Sequence, residues 1–240
     1  MTRHDPLDIS RHARLVFLPG LFADARLFER QMPVFPHSVV AEWEAPEPND
    51  SLVDYGVRAL ERVGVRPGDS SKPLVLVGQS FGGVLAQALA REIDVAGVVL
   101  IASVRHHGEF SGMFQRIGDV LRLLPASWNE AMLRRSMRGF VRQTAKSDDP
   151  EMRIAGEMAE GFPHEVFFWS GERVRGFDVP EHELGVPSAR IHGKKDQAIP
   201  VKRIRGEIDL LVDAGGHKVN WSHPDAVNAF IADWVRGLLV

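Results

Sequence analysis

Three short runs, Leu15–Leu18, Leu74–Val77 and Val98–Ile101, are apolar at every position. A strand with one face in water alternates apolar and polar residues, so an unbroken run of this length argues for burial on both faces. Each run is closed by punctuation: Pro19-Gly20 after the first, Gly78 after the second, Ala102-Ser103 after the third. The segment Phe81–Glu92 between the second and third reads as a helix, which is the crossover a parallel pair requires. The chain therefore reads as α/β, an open and mostly parallel sheet flanked by helices.

The same rhythm can be followed to both ends. Ala23–Met32 has helical character, and His37–Trp43 is a weaker strand candidate followed by a Pro- and acid-rich loop. Ser51–Val63 puts Val53, Val57 and Leu60 on one helical face, with Ser51 as the N-cap. Ser188–Gly193 and Asp209–Gly215 resume the strand pattern. The last helix has Pro224 in its first turn and Val227, Phe230, Ile231, Trp234 and Leu238 along one side. Between about residues 105 and 185 the composition turns to methionine, arginine and helical spacing, with no convincing strand. This reads as one domain over 1–240, interrupted by a mainly helical insertion.

Composition removes several classes of function. A 240-residue chain with 44% hydrophobic and 25% charged residues is an ordinary globular chain of one domain. Its net charge of −3 gives no reason to expect a nucleic-acid partner. Without cysteine there is no disulfide, thiolate nucleophile or cysteine zinc site. No His-x-x-x-His spacing occurs either, so no metal and no cofactor are expected. The first residues lack the apolar core of a signal peptide, and no apolar run approaches the roughly 18 residues of a membrane span. A cytoplasmic location is the expectation.

The run Leu74–Gly83 reads LVLVGQSFGG and carries the chemistry. A phosphate loop would need a lysine after the second glycine, and a dinucleotide fingerprint would need a glycine where Ser80 stands. What fits is Gly-x-Ser-x-Gly, formed by Gly78, Ser80 and Gly82 between a buried strand and a helix. In such an elbow a tightly turned backbone lifts the hydroxyl clear of the sheet, and small neighbours let strand and helix pass. The helix beginning at Phe81 also points backbone N–H groups and a positive dipole end toward the serine.

In this context the sequence resembles the α/β-hydrolase family, whose chain order is Ser, then Asp or Glu, then His. Of the ten histidines, His217 lies in a glycine-rich loop before the final helix, where the family's histidine belongs. His223 reads as a helix-start residue, and His192 lies within or beside a strand end. His106 and His107 are adjacent, so on a regular strand or helix they would point apart. Asp196, in the His-Gly-x-x-Asp segment His192–Asp196, matches the family's acid. The alternative site one strand earlier holds Ser103-Val104-Arg105, and Asp213 stands too close before His217. The run Phe17–Phe28 is similar to the family's oxyanion loop, with Pro19-Gly20 in place of His-Gly. The resemblance implies backbone donors at Phe81 and at Leu21 or Phe22. Only thirteen residues precede the first strand, which implies a shortened or missing N-terminal hairpin.

The family's helical cap corresponds to about 105–185. Phe110, Met113, Phe114, Phe167, Phe168 and Trp169 could line an acyl pocket there or pack the cap onto the core. Phe114, Trp169 and the loop residue Phe22 are the substrate-binding candidates. Arg134, Arg138 and Arg142 recur every four residues, opposite Leu133, Met137 and Phe140. That arginine row is a solvated face, or it contacts an acidic carrier protein or a substrate phosphate. The resemblance implies a serine hydrolase acting on a small-molecule ester or thioester through Ser80, His217 and Asp196. A serine at the elbow argues against the aspartate-based dehalogenase and epoxide hydrolase branches. C–C bond hydrolysis, a cofactor-free lyase and a slow-turnover ligand receptor remain as alternatives on the same residues.

Overall fold

Leu74 and Leu76 enter one hydrophobic core while Val75 and Val77 enter another, on the opposite side of the same strand. Val98 and Leu100 alternate with Val99 and Ile101, and Val16 and Leu18 with Leu15 and Phe17, in the same manner. Both faces of the sheet are covered, and this is why the runs contain no polar residue. The computed structural model describes residues 7–240 other than 70, 113, 114, 117, 118 and 120–122.

The sheet has six strands: β1 (Arg14–Leu18), β2 (Val39–Val40), β3 (Leu74–Gln79), β4 (Gly97–Ile101), β5 (Ser188–Gly193) and β6 (Leu210–Val212). Their order is β2-β1-β3-β4-β5-β6, and every neighbouring pair is parallel. All carboxyl ends therefore face one edge, where open α/β sheets bind their ligands. On one face lie α2 (Leu52–Arg62) and α3 (Phe81–Ala90); on the other lie α1 (Leu7–His12) and the last helix, α8 (Pro224–Leu238). Ser51 caps α2 as its position suggests. Its hydroxyl accepts from Asp54 N at 3.1 Å, while the Asp54 carboxylate accepts from Ser51 N.

Three expected elements are shorter than their sequence patterns, among them the strand at 209–215, which keeps only Leu210–Val212. The helix at 23–32 is reduced to a 3₁₀ turn over Ala25–Phe28, capped by Asp24. The strand at His37–Trp43 keeps only Val39–Val40 plus one further bond, Ala41 N to Phe17 O. The chain then leaves the sheet edge, because Trp43 turns inward and its indole donates to Gly20 O at 2.9 Å.

Between β4 and β5 the described residues include three long helices: α4 (Ala126–Thr144), α5 (Pro150–Gly161) and α6 (His164–Val174). Helices α4 and α5 approach closely, since a Cβ on Gly156 would sit 1.9 Å from Thr144 Oγ1. Phe162, Val166 and Trp169 enter the same core as α2 and α3. Asp50, 5% exposed, ties this layer down. Its carbonyl accepts from Trp169 Nε1 at 3.0 Å and from Arg173 Nε at 2.9 Å, while its carboxylate binds both Arg58 amino groups. The Arg58 guanidinium holds that carboxyl below the usual range. Two ion pairs, Arg26–Glu157 at 2.8 Å and Arg30–Glu151 at 2.7 Å, fasten α5 to the core, and they are exposed enough to contribute little.

These inserted helices are thus held chiefly by buried aromatic surface. Trp169→Ala should lower stability in urea unfolding by about 3–5 kcal/mol. Trp169→Phe, which keeps the packing and loses the bond to Asp50, should cost about 1 kcal/mol. Equal costs would shift the weight from packing to the hydrogen bond.

Candidate active site

At the carboxyl end of β3 the chain turns into α3 within one residue. Ser80 makes that turn at φ 52° and ψ −121°, a left-handed conformation that costs a non-glycine residue about 1–3 kcal/mol. The surroundings leave no other path. A Cβ on Gly78 would lie 2.4 Å from Gly83 N and Gly82 O, and one on Gly82 would lie 2.1 Å from Leu18 O. The two glycines of the motif are there because backbone passes against backbone. The Ser80 backbone is pinned on both sides. Its N–H donates to Ile101 O at 2.9 Å, and its carbonyl accepts from Ser103 Oγ at 2.6 Å and Gly83 N at 3.0 Å.

His217 comes from the loop between β6 and the short helix α7 (Val219–Ser222). Its Nε2 is 3.0 Å from Ser80 Oγ and its Nδ1 is 2.8 Å from Asp196 Oδ2. A carboxylate only accepts, so Nδ1 carries the proton and Nε2 is left free to accept from the serine hydroxyl. The loop is held from two directions: Gln79 Nε2 donates to His217 O at 2.9 Å, and Lys195 N donates to Gly215 O at 2.8 Å.

Asp196 follows β5 and is 4% exposed. Its Oδ1 accepts from Ala198 N at 2.8 Å and Ile199 N at 2.9 Å. Burial pushes its pKa up, but hydrogen bonds from His192 and His217, the His217 charge and the Ile199 N–H outweigh this and hold the carboxyl well below the usual range. It is ionised at neutral pH.

The structure brings Ser80, His217 and Asp196 together. Asp213, the rejected alternative, is exposed and pairs with Lys194 at 2.8 Å. His223 occupies the N-cap position of α8, without a capping bond from its side chain. The His192 ring is a residue the sequence reading left without a role. Fully buried in β5, its Nε2 is 2.8 Å from Ile199 O and 3.3 Å from Asp196 Oδ2. Both neighbours are acceptors, so Nε2 holds the proton and buttresses the acid. The spacing of four residues between His192 and Asp196 was the available signal. The pair His106-His107 lies on neither a regular strand nor a regular helix. The backbone there is an irregular bridge leading into a 3₁₀ turn, and the rings face each other with centroids 4.3 Å apart.

Beside the serine, the N–H groups of Leu21, Phe22 and Phe81 have no protein acceptor among the described residues. Phe22 is itself left-handed at φ 61°. A Cβ on Gly20 would collide with Gln79 Oε1 at 2.2 Å, so the loop from Pro19 rests directly on the elbow. Above it the Phe22 ring packs against Phe162 at 4.8 Å and Phe167 at 5.4 Å, while Phe81 meets Trp43 at 5.6 Å and Trp169 edge-on at 5.9 Å. A cavity of about 240 Å³ adjoins this cluster, lined among others by Ala23, Trp43, Met158 and Phe162. Met113 and Phe114 lie outside the described residues.

A family model described as "Alpha/beta hydrolase family" matches residues 15–230. The chain belongs to the α/β-hydrolase family. No curated protein matches it in sequence. Solved structures of this α/β-hydrolase fold are similar at low identity. A hydrolase from Pseudomonas aeruginosa PA01 is 16% identical with a TM-score of 0.69, over 94% of this chain and 90% of that one. The enol-lactonase from Burkholderia xenovorans LB400 is 17% identical with a TM-score of 0.68, over 94% and 92%. An esterase from Exiguobacterium antarcticum is 16% identical with a TM-score of 0.65, over 94% and 92%. At such identity the likeness is one of fold.

The Asp196 carboxyl has a folded pKa below its unfolded value of about 3.9, so its stabilisation is complete above that pH and lost as pH falls further. Urea midpoints of the parent should therefore drop more steeply between about pH 5 and pH 3 than those of Asp196→Asn. Parallel slopes would mean that the carboxyl is not held ionised.

Proposed function

We propose that this α/β-hydrolase is a serine hydrolase that cleaves a carboxylic ester or thioester through an acyl-enzyme on Ser80. The observation that carries the reading is the unbroken hydrogen-bonded line from Ser80 Oγ through both nitrogens of His217 to the ionised Asp196. As His217 Nε2 takes the hydroxyl proton, Ser80 Oγ attacks the acyl carbon. Asp196 holds the imidazole in the required tautomer and stabilises its cation. The open N–H groups of Phe81 and of Leu21 or Phe22 are the donors for the oxyanion. The proton passes from His217 to the leaving alcohol or thiol, and water, activated by the same ring, releases the acid.

Substrate choice belongs to the aromatic walls, because the triad and oxyanion donors meet only the reacting ester group. Phe22 and Phe167 are half-buried at the cap seam, with Trp169 behind Phe81. They are suited to an apolar acyl chain. An enol-lactone, the substrate class that the name of the Burkholderia xenovorans enzyme carries, is one form such a substrate could take.

A fluorophosphonate should label the parent once, on Ser80, and fail to label Ser80→Ala. Turnover of an aryl ester should fall by roughly 10³-fold or more in Ser80→Ala and by about 10⁴-fold in Asp196→Asn. A labelled alanine variant would displace the nucleophile, and a parent that stops near one turnover would make the protein a receptor.

For the walls, Phe22→Ala or Phe167→Ala should shift the preferred acyl length in kcat/KM across a series of aryl esters. Each buried methylene is worth about 0.8 kcal/mol, or roughly fourfold. A uniform loss on every ester would mean that these rings only hold the cap in place.

A further inference from the structure

Helix α4 has one face turned inward and one that no described residue covers. Leu133, Met137 and Val141 are partly buried, and Thr144, against Gly156 of α5, is 1% exposed. Directly opposite, at about 100° per residue, Trp128, Met132, Arg135, Gly139 and Arg142 fall within an arc of about 80°, flanked by Arg138. Trp128 is 63% exposed and Met132 49%. Leu123, a turn ahead of the helix, is 85% exposed.

The charge on this face is of one sign. The nineteen positions of α4 hold four arginines and a single acid, in a chain with more acidic than basic residues. That acid, Glu130, lies near the inward side and is bound to Arg134 at 2.7 Å. Arg135, Arg138 and Arg142 are exposed and have no ion pair among the described residues. The outward arc is therefore apolar at its N-terminal end and purely cationic toward its C-terminal end.

We propose that the outward face of α4 docks on an anionic lipid surface. A helix lying in the interface plane needs bulky apolar residues to enter the acyl boundary and cations to meet the headgroup phosphates. Trp128 and Met132 supply the first, with the indole suited to the wet boundary. The guanidinium groups supply the second, in the forked geometry that phosphate accepts. The face is a convex ridge of one helix. An acidic protein partner would need a complementary surface of about 800 Å² per side to bind specifically, whereas a bilayer moulds itself to a ridge. Because α4 is part of the cap, docking sets the cap side of the molecule against the membrane. No helix among the described residues is long and apolar enough to cross a membrane, so the attachment is peripheral.

The test is co-sedimentation of the full chain with phosphatidylcholine vesicles with and without phosphatidylserine. Binding should require phosphatidylserine and should weaken steeply as salt is raised. Arg135→Gln, Arg138→Gln and Arg142→Gln together should weaken it roughly a hundredfold, since each arginine near an anionic surface is worth about fivefold. Trp128→Ser should also weaken binding and should remove the blue shift in tryptophan emission that accompanies it. Both variants should keep the parent's circular dichroism and its rate on a short, water-soluble ester. The proposal fails if the parent does not bind phosphatidylserine vesicles at low salt, or if the arginine variant binds as well as the parent. It fails equally if Trp128→Ser changes nothing, or if the parent binds an acidic acyl carrier protein while ignoring the vesicles.

Discussion

The backbone of Ser80 is the constraint on which the rest of the site depends. Strand β3 must stop and α3 must start within one residue, under the carbonyl of Leu18 on the neighbouring strand. Only a left-handed residue between two glycines allows that passage, and the strain is held by bonds from Ile101, Ser103 and Gly83. The same turn leaves the Phe81 N–H unclaimed at the helix start, next to the hydroxyl. In the proposed mechanism, nucleophile geometry and oxyanion donor are one feature of the chain path.

The acid and the histidine are placed by a second pair of neighbours, β5 and β6. A Cβ on Gly193 would lie 2.4 Å from Gly216 O, so the ends of these strands meet as bare backbone. That contact sets Asp196 and His217 at hydrogen-bond distance across 21 residues of chain. Two backbone N–H groups and two imidazoles then satisfy one buried carboxylate. A charge at that depth is tolerated only with such a full set of partners. His192, although it stands away from the serine, is part of what keeps the acid charged.

The cap presents two chemistries. Its inner side is aromatic, with Phe162, Phe167 and Trp169 against Phe22, Phe81 and Tyr55. Its outer helix carries arginines around an exposed indole. The first side is the one proposed to meet a substrate chain and the second the one proposed to dock, so both proposals fall on one inserted segment.

Much of this was legible without coordinates. Unbroken apolar runs fix strands covered on both faces, and Ser51 marks the start of α2, because these are local effects of burial and of orphaned N–H groups. Gly78, Ser80 and Gly82 mark the elbow, since only a crowded turn requires that order. The pairing of Asp196 with His217 could be inferred only from family order, because a hydrogen bond across two loops has no local sequence signal. The shortening of β2 and of the helix at 23–32, the buttress at His192 and the stacking of His106 on His107 were decided by tertiary structure. There, packing partners distant in sequence outweigh local propensity. Likewise, four-residue spacing showed that α4 has an arginine row. Only the packed fold shows that Trp128 and Met132 share the outward face with Arg135 and Arg142, because exposure is set by what lies against the opposite side.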